Sequence, residues 1–200
     1  MARLIIVRHG NTFDKGDTVT RVGGRTDLPL SSSGLAQADA LAAQFNATHF
    51  VAAFCSPLAR TRQTARAIIG MRTNSPALIV LPFLTEVDYG PDENQPEDKV
   101  LARIGETALE AWERDATPPD GWLVGGDALR DGWRGLLARA AELGADDTAL
   151  IVTSNGIARF LPDVVDDQPE QLDRKLKTGA WGSVEITPAG SRITEWNCRP

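Results

Sequence analysis

The run Leu4-Ile5-Ile6-Val7 is apolar at every position, so a strand built from it has no face suited to water. Such a strand must lie inside a sheet covered on both sides. That requirement restricts the chain to α/β architectures with a largely parallel sheet. The segment Thr148-Ala149-Leu150-Ile151-Val152-Thr153 repeats the pattern far along the chain. Between these two, strand-like and helix-like segments alternate. Residues 50–55 and 77–81 read as strands. Leu35, Ala38, Leu41, Ala42 and Phe45 fall on one helix face behind an N-cap at Ser33, and residues 58–69 read as a helix closed by Gly70. Further helices are predicted over 97–114 and 128–143, parted by the turn Pro118-Pro119-Asp120-Gly121. Residues 183–187 and 192–196 flank Pro188-Ala189-Gly190 as a terminal hairpin. The expectation is one domain over residues 1–200: an α/β protein, a three-layer α/β/α sandwich with a mostly parallel central sheet and a terminal antiparallel hairpin.

Charge and cysteine content narrow the function. A formal net charge of −6, with arginines scattered rather than clustered, argues against a nucleic-acid partner. No apolar run approaches the length of a membrane helix, and Met1-Ala2-Arg3 leads straight into the first strand without a signal segment. A cytoplasmic protein with no membrane partner is expected. Cys55 and Cys198 are far apart, with no CxxC and no histidine at ligand spacing, so they read as structural thiols and neither a metal nor a cofactor is expected.

Parallel strands deliver the residues after them to the carboxyl edge of the sheet, where α/β proteins place their sites. The first strand delivers Arg8-His9-Gly10-Asn11-Thr12 there. A guanidinium at that edge needs an anion, and phosphate suits its donor fork. The imidazole beside it is a nucleophile, a base or a satisfied structural histidine; the pair alone does not choose. Arg60 and Arg62 lie in the first turns of a helix, where the macrodipole disfavours cations unless an anion binds nearby. The plainer alternative for that segment alone is that both point into water. Glu86 and the turn Ser154-Asn155-Gly156 come after two more strands and are individually weak signals. His49, the other histidine, falls between a helix and a strand and reads as a surface or loop residue. The five tryptophans read as core or hairpin packing.

Together these blocks resemble the histidine phosphatase superfamily. The resemblance is carried by the strand before Arg8-His9-Gly10, by Gly24, Asp27, Pro29-Leu30 and Gly34 leading to Gln37-Ala38, by Ser56-Pro57-Leu58 with Arg60 and Gln63-Thr64-Ala65, and by Leu84, Glu86 and Tyr89-Gly90. It implies a phosphatase acting on a small-molecule phosphate ester. Arg8 and Arg60 would clamp the phosphoryl oxygens, His9 would attack phosphorus to form phosphohistidine, and Glu86 would serve as general acid and then base. The arginines supply the positive charge, so no metal is implied. Asn11 and Lys15, in the loop after His9, would add phosphate contacts, with Lys15 as a compensating cation.

The chain departs from the family at Asn155, where a second histidine normally precedes the glycine. An amide imitates the hydrogen bond to phosphate but carries no charge. Losing a charge-assisted bond costs about 1–3 kcal/mol, which predicts faster turnover for Asn155→His. A second departure is Gly125-Gly126-Asp127-Ala128, where a Gly-Glu-Ser stretch is usual. The alternative reading is a weak or inactive member that binds a phosphorylated ligand or partner. Asp88, Asp92, Glu93, Glu97 and Asp98, against the single Lys99, read either as a solvated surface loop or as a field repelling heavily anionic substrates, which favours a singly phosphorylated small molecule.

Overall fold

The computed structural model describes residues 1–70 and 74–200. Strand β1 (Ala2–Arg8) lies inside a six-stranded sheet, parallel to β4 (Thr148–Thr153) on one side and antiparallel to β5 (Trp181–Thr187) on the other. On the far side of β4 lies β2 (Phe50–Cys55), and β3 (Leu78–Val80) forms that edge; β6 (Gly190–Cys198) forms the opposite one. The order is β3-β2-β4-β1-β5-β6, with the first four strands parallel and the last two forming the antiparallel hairpin.

The unbroken apolar run of β1 is explained by two cores. Ile5 and Val7 pack with Leu41 of α1 (Ser32–Gln44) and with Ala65 and Ile68 of α2 (Ala59–Ile69). Leu4 and Ile6, pointing the other way, share a core with Trp133, Leu136 and Ala140 of α5 (Gly126–Ala141). Burying each large aliphatic side chain contributes roughly 1.5–3 kcal/mol, so helices on both faces follow from the sequence of the strand. Among the described residues no helix is long and apolar enough to cross a membrane.

Element boundaries differ from expectation at several places: β3 is shorter than residues 77–81, and β5 and β6 each begin two residues earlier than the expected hairpin strands. The single helix expected over 97–114 is two, α3 (Glu97–Ile104) and α4 (Glu106–Asp115), because Gly105 between them adopts φ +78°. The N-cap of α1 is Ser31, whose hydroxyl accepts from Gly34 N at 3.2 Å, and not Ser33. The carboxylate of Asp14 takes the backbone N–H of Ser32 and of Ser33, which fixes where the helix begins. Helix α5 starts two residues earlier than expected, at Gly126.

The site is positioned by a crossover. After β1 the chain builds α1, β2, α2 and β3 before returning to place β4 between β1 and β2. The carboxyl ends of β1 and β4 are therefore neighbours, with Arg8 opposite Thr153 and His9 N donating to Thr153 O at 3.1 Å.

Candidate active site

His9 is buried, and its contacts determine its tautomer. Nδ1 lies 2.7 Å from the Gly10 carbonyl oxygen, which can only accept, so Nδ1 carries the proton. Nε2 lies 3.2 Å from Nε of Arg60, which can only donate, so Nε2 presents its lone pair. Burial, then the charges of Arg60 and Arg8, hold the imidazole well below the usual histidine range. The ring is neutral, with its free electron pair directed at a guanidinium.

Arg60, in the first turn of α2, is fully buried and does not point into water. Its Nη1 and Nη2 donate to the carbonyls of Thr26 (2.8 Å) and Gly23 (3.1 Å), which orient the fork without neutralising it. Arg62, two residues on, is exposed. Arg8 Nη1 donates to Leu176 O at 2.9 Å, and its Nε is buried without an acceptor. Neither Arg8 nor Arg60 is ion-paired among the described residues. Burial pulls both guanidinium groups down from their ordinary values, opposed by Glu86, yet arginine remains charged in proteins.

Glu86 comes after a single helical turn over Pro82–Leu84 and is buried, with Oε1 accepting from Val87 N at 2.9 Å and Oε2 from Gly156 N at 3.3 Å. Gly156 leaves room for that carboxylate: a Cβ there would lie 2.1 Å from Glu86 Oε1. Asn155 opens α6 (Asn155–Ala158), and its Oδ1 accepts from Leu176 N at 2.9 Å. Leu176 thus gives its N–H to Asn155 and its carbonyl to Arg8. With the oxygen held, the Nδ2 amino group is the end of Asn155 available to a ligand.

These side chains line one cavity of about 430 Å3, together with Asn11, Tyr89, Trp112, Arg21, Arg159 and Lys175. Asn11 Nδ2 is engaged by Ser33 Oγ at 3.2 Å. Lys15 is exposed and is not part of the cavity wall; His49 lies on its loop, outside the cavity. Among the described residues no group of three or more His, Cys, Asp or Glu could hold a metal ion. Burial pushes the Cys55 thiol up to about 11, as suits an inert core cysteine.

The acidic stretch is neither a solvated loop throughout nor an uncompensated field. Asp92 is buried and binds Arg103 and Nε1 of Trp122. Glu93 accepts from Gly23 N, Arg25 N and Thr26 Oγ1, Asp88 pairs with Arg25, and Glu97 pairs with Arg21 at 2.6 Å. These carboxylates are matched by cations and backbone donors, so they do not add up to a field that repels anionic substrates.

Arg159 is a cavity residue that the sequence did not single out. It lies four positions after Asn155, which puts it on the same side of a helical turn, and that spacing was the available signal. Trp112, Trp122, Trp133 and Trp181 are buried in the core, Trp196 packs partly buried on the hairpin, and Trp112 also faces the cavity.

A sequence model described as the histidine phosphatase superfamily (branch 1) matches residues 4–199. The chain is 30% identical to 2,3-bisphosphoglycerate-dependent phosphoglycerate mutase 2 of Gloeobacter violaceus, over 87% of this chain and 80% of that protein. It is 26% identical to adenosylcobalamin/alpha-ribazole phosphatase of Escherichia coli, over 98% and 96%. Among solved structures, mycobacterial glucosyl-3-phosphoglycerate phosphatase shares the fold with a TM-score of 0.81 at 21% identity, covering 100% of both chains.

Proposed function

This chain belongs to the histidine phosphatase superfamily, and from that premise we propose that it hydrolyses a small phosphate monoester through a phosphohistidine formed at Nε2 of His9. The observation that carries the reading is the neutral His9 tautomer, with its lone pair held beside two guanidinium groups that have no carboxylate partner among the described residues. An end-to-end match to a phosphatase of similar length favours hydrolysis over phosphoryl transfer to a second substrate.

A phosphate dianion entering the cavity replaces His9 as the acceptor of the Arg60 Nε–H. Arg8 and Arg60 bind the non-bridging oxygens and stabilise the charge that spreads over them during transfer. Nε2 forms a bond to phosphorus as the ester P–O bond breaks, and protonated Glu86 gives its proton to the leaving alkoxide. Water then attacks the phosphohistidine. Glu86 takes the water's proton, inorganic phosphate leaves, and Nε2 recovers its lone pair. Asn155 donates Nδ2–H to a phosphoryl oxygen as a neutral substitute for the family's second histidine.

The test is to trap the intermediate. The protein is incubated with a panel of small phosphate monoesters, quenched in base, and its peptides are searched for acid-labile phosphate on His9, alongside steady-state turnover. A burst of product with label on His9 is expected. If ligands bind but neither label nor turnover occurs across the panel, the enzyme reading fails and a binding protein remains.

A further inference from the structure

Leu176 holds two residues of the site, but through different peptide groups. The group between Lys175 and Leu176 gives its N–H to Asn155 Oδ1, and the group between Leu176 and Lys177 offers its carbonyl to Arg8 Nη1, each at 2.9 Å. The far end of each group goes to one side chain, Asn197, near the end of β6. Asn197 Nδ2 donates to Lys175 O at 2.6 Å, and Asn197 Oδ1 accepts from Lys177 N at 2.8 Å. A carbonyl only accepts and an N–H only donates, so this orientation of the amide satisfies both. A peptide group is a rigid plane, and fixing one end of it fixes the direction of the other. One amide therefore sets both planes that meet Arg8 and Asn155, although Asn197 itself does not line the cavity.

The backbone is bent to deliver that side chain. Trp181 pairs with Cys198 and Ser183 with Glu195, so Trp196 and Asn197 together face Gly182, a bulge of one extra residue in β6. Bulges of this kind re-aim side chains. Asn197 takes φ +59°, left-handed backbone that asparagine accepts more readily than most residues. The bulge also lies at the edge of the sheet that carries the site. Strand β5 runs antiparallel to β1 and β6 antiparallel to β5, so the last residues of β6 return beside the start of β5, where Ala180 O accepts from Arg8 N at 3.0 Å. We infer that Asn197 is a positioning residue of the site, holding Arg8 and Asn155 through the peptide groups on either side of Leu176. The inference rests on the proposed role of Arg8 as a clamp on phosphoryl oxygens. A residue needed only to shape the bulge would require the left-handed φ and not the amide.

The experiment measures binding of inorganic phosphate by calorimetry, and kcat/KM for a panel of phosphate monoesters, on the full chain. Glycine accepts φ +59° without strain, so Asn197→Gly keeps the bulge and loses the amide. Phosphate binding is expected to weaken by about fivefold to tenfold, the scale of one or two lost hydrogen bonds. The same substitution is then made in two backgrounds. In Arg8→Lys protein the guanidinium that Leu176 O holds is gone, and Asn197→Gly costs about twofold or less. In Arg60→Lys protein it costs the full factor, because the carbonyls of Thr26 and Gly23 are what hold Arg60. Asn197→Asp, which also suits the left-handed backbone and keeps an oxygen for the Lys177 N–H, retains part of the affinity and decides the matter should the double variants fail to fold. The inference is overturned if Asn197→Gly binds phosphate as tightly as wild type, if its loss is equal in the two lysine backgrounds, as a general loosening of the fold would give, or if Asn197→Asp binds no better than Asn197→Gly. Turnover separates the two readings. Weakened phosphate binding in a protein that hydrolyses no ester keeps Asn197 in its role while the phosphatase reading fails, and hydrolysis with unchanged phosphate affinity does the reverse.

Discussion

Strands β1 and β4 are adjacent, parallel and in register, and each leads to a polar residue and then a glycine with no room for a Cβ: His9-Gly10 and Asn155-Gly156. The two turns nevertheless do different work. At His9 the surroundings act on the ring itself, fixing its tautomer and keeping it unprotonated. At Asn155 the side chain acts on its surroundings, holding Leu176, whose carbonyl in turn holds Arg8. At one strand end the surroundings set the state of a side chain, and at the other a side chain sets the position of its surroundings, although both follow adjacent parallel strands.

Making the two ends alike is the severest test of that division. His9→Asn removes the lone pair that attacks phosphorus in the proposed reaction, and a loss of about ten-thousand-fold or more in kcat is expected. Asn155 cannot substitute for it, and product assays at high enzyme concentration would reveal any residual rate.

The glycines test the same contrast on a smaller scale. A Cβ at Gly10 would lie 2.4 Å from the Gly34 carbonyl oxygen, backbone against backbone, so Gly10→Ala should lower stability by about 2–3 kcal/mol in denaturant melts. A Cβ at Gly156 meets the Glu86 carboxylate, which can swing aside. Gly156→Ala should therefore keep most of its stability and lose about a hundredfold in kcat, the scale of a displaced general acid.

Asn155→His is the next step down. Charge alone, read from the sequence, predicts a faster enzyme, whereas the bond from Leu176 N to Asn155 Oδ1 predicts the opposite. An imidazole at 155 would sit in the cavity that Arg8 and Arg159 also line, and cations so placed disfavour its protonation. It would also give up the amide oxygen that holds Leu176. No rate gain is expected at neutral pH, with kcat/KM reduced by about threefold to tenfold through a loosened Arg8. A clear acceleration would show that charge at this turn outweighs alignment.

The smallest effect is in pH. His9 has its proton affinity lowered on folding, so below its unfolded value of 6.5 the unfolded chain binds more protons than the folded one. Stability from this residue is complete above that pH and declines as pH falls toward the folded value. Thermal melts should show wild-type protein losing more stability between about pH 7 and 5 than His9→Asn, while Asn155→Ala tracks wild type.

Much of this division was legible in the sequence, and the rest was hidden for physical reasons. The apolar runs of β1 and β4 announce a sheet covered on both faces, and Arg8, His9, Arg60, Glu86 and Asn155 each come at or after the end of a strand that delivers them to one edge. The break at Gly105 was hidden because a glycine costs a helix only about 1 kcal/mol, which periodicity on either side overrides until φ +78° is seen. The choice of Ser31 as cap depends on Asp14, distant in sequence. Neutralisation of the acidic stretch likewise depends on Arg21, Arg25 and Arg103, which composition cannot assign to it. Arg159 has no motif of its own; its place in the cavity wall, over the Trp112 ring, shows only in the structure.

The late insertion of β4 between β1 and β2 also sets an order of assembly. As the chain leaves the ribosome, Arg8, His9, Arg60 and Glu86 are all made before residue 148, yet β1 and β2 have no strand between them to hold their ends in place. Pairings so distant in sequence form slowly, after local helices and hairpins. A nascent chain ending before β4 therefore carries Arg8, His9, Arg60 and Glu86 without the frame that brings them together, and the cavity they line is complete only when the strand that leads to Asn155 joins the sheet.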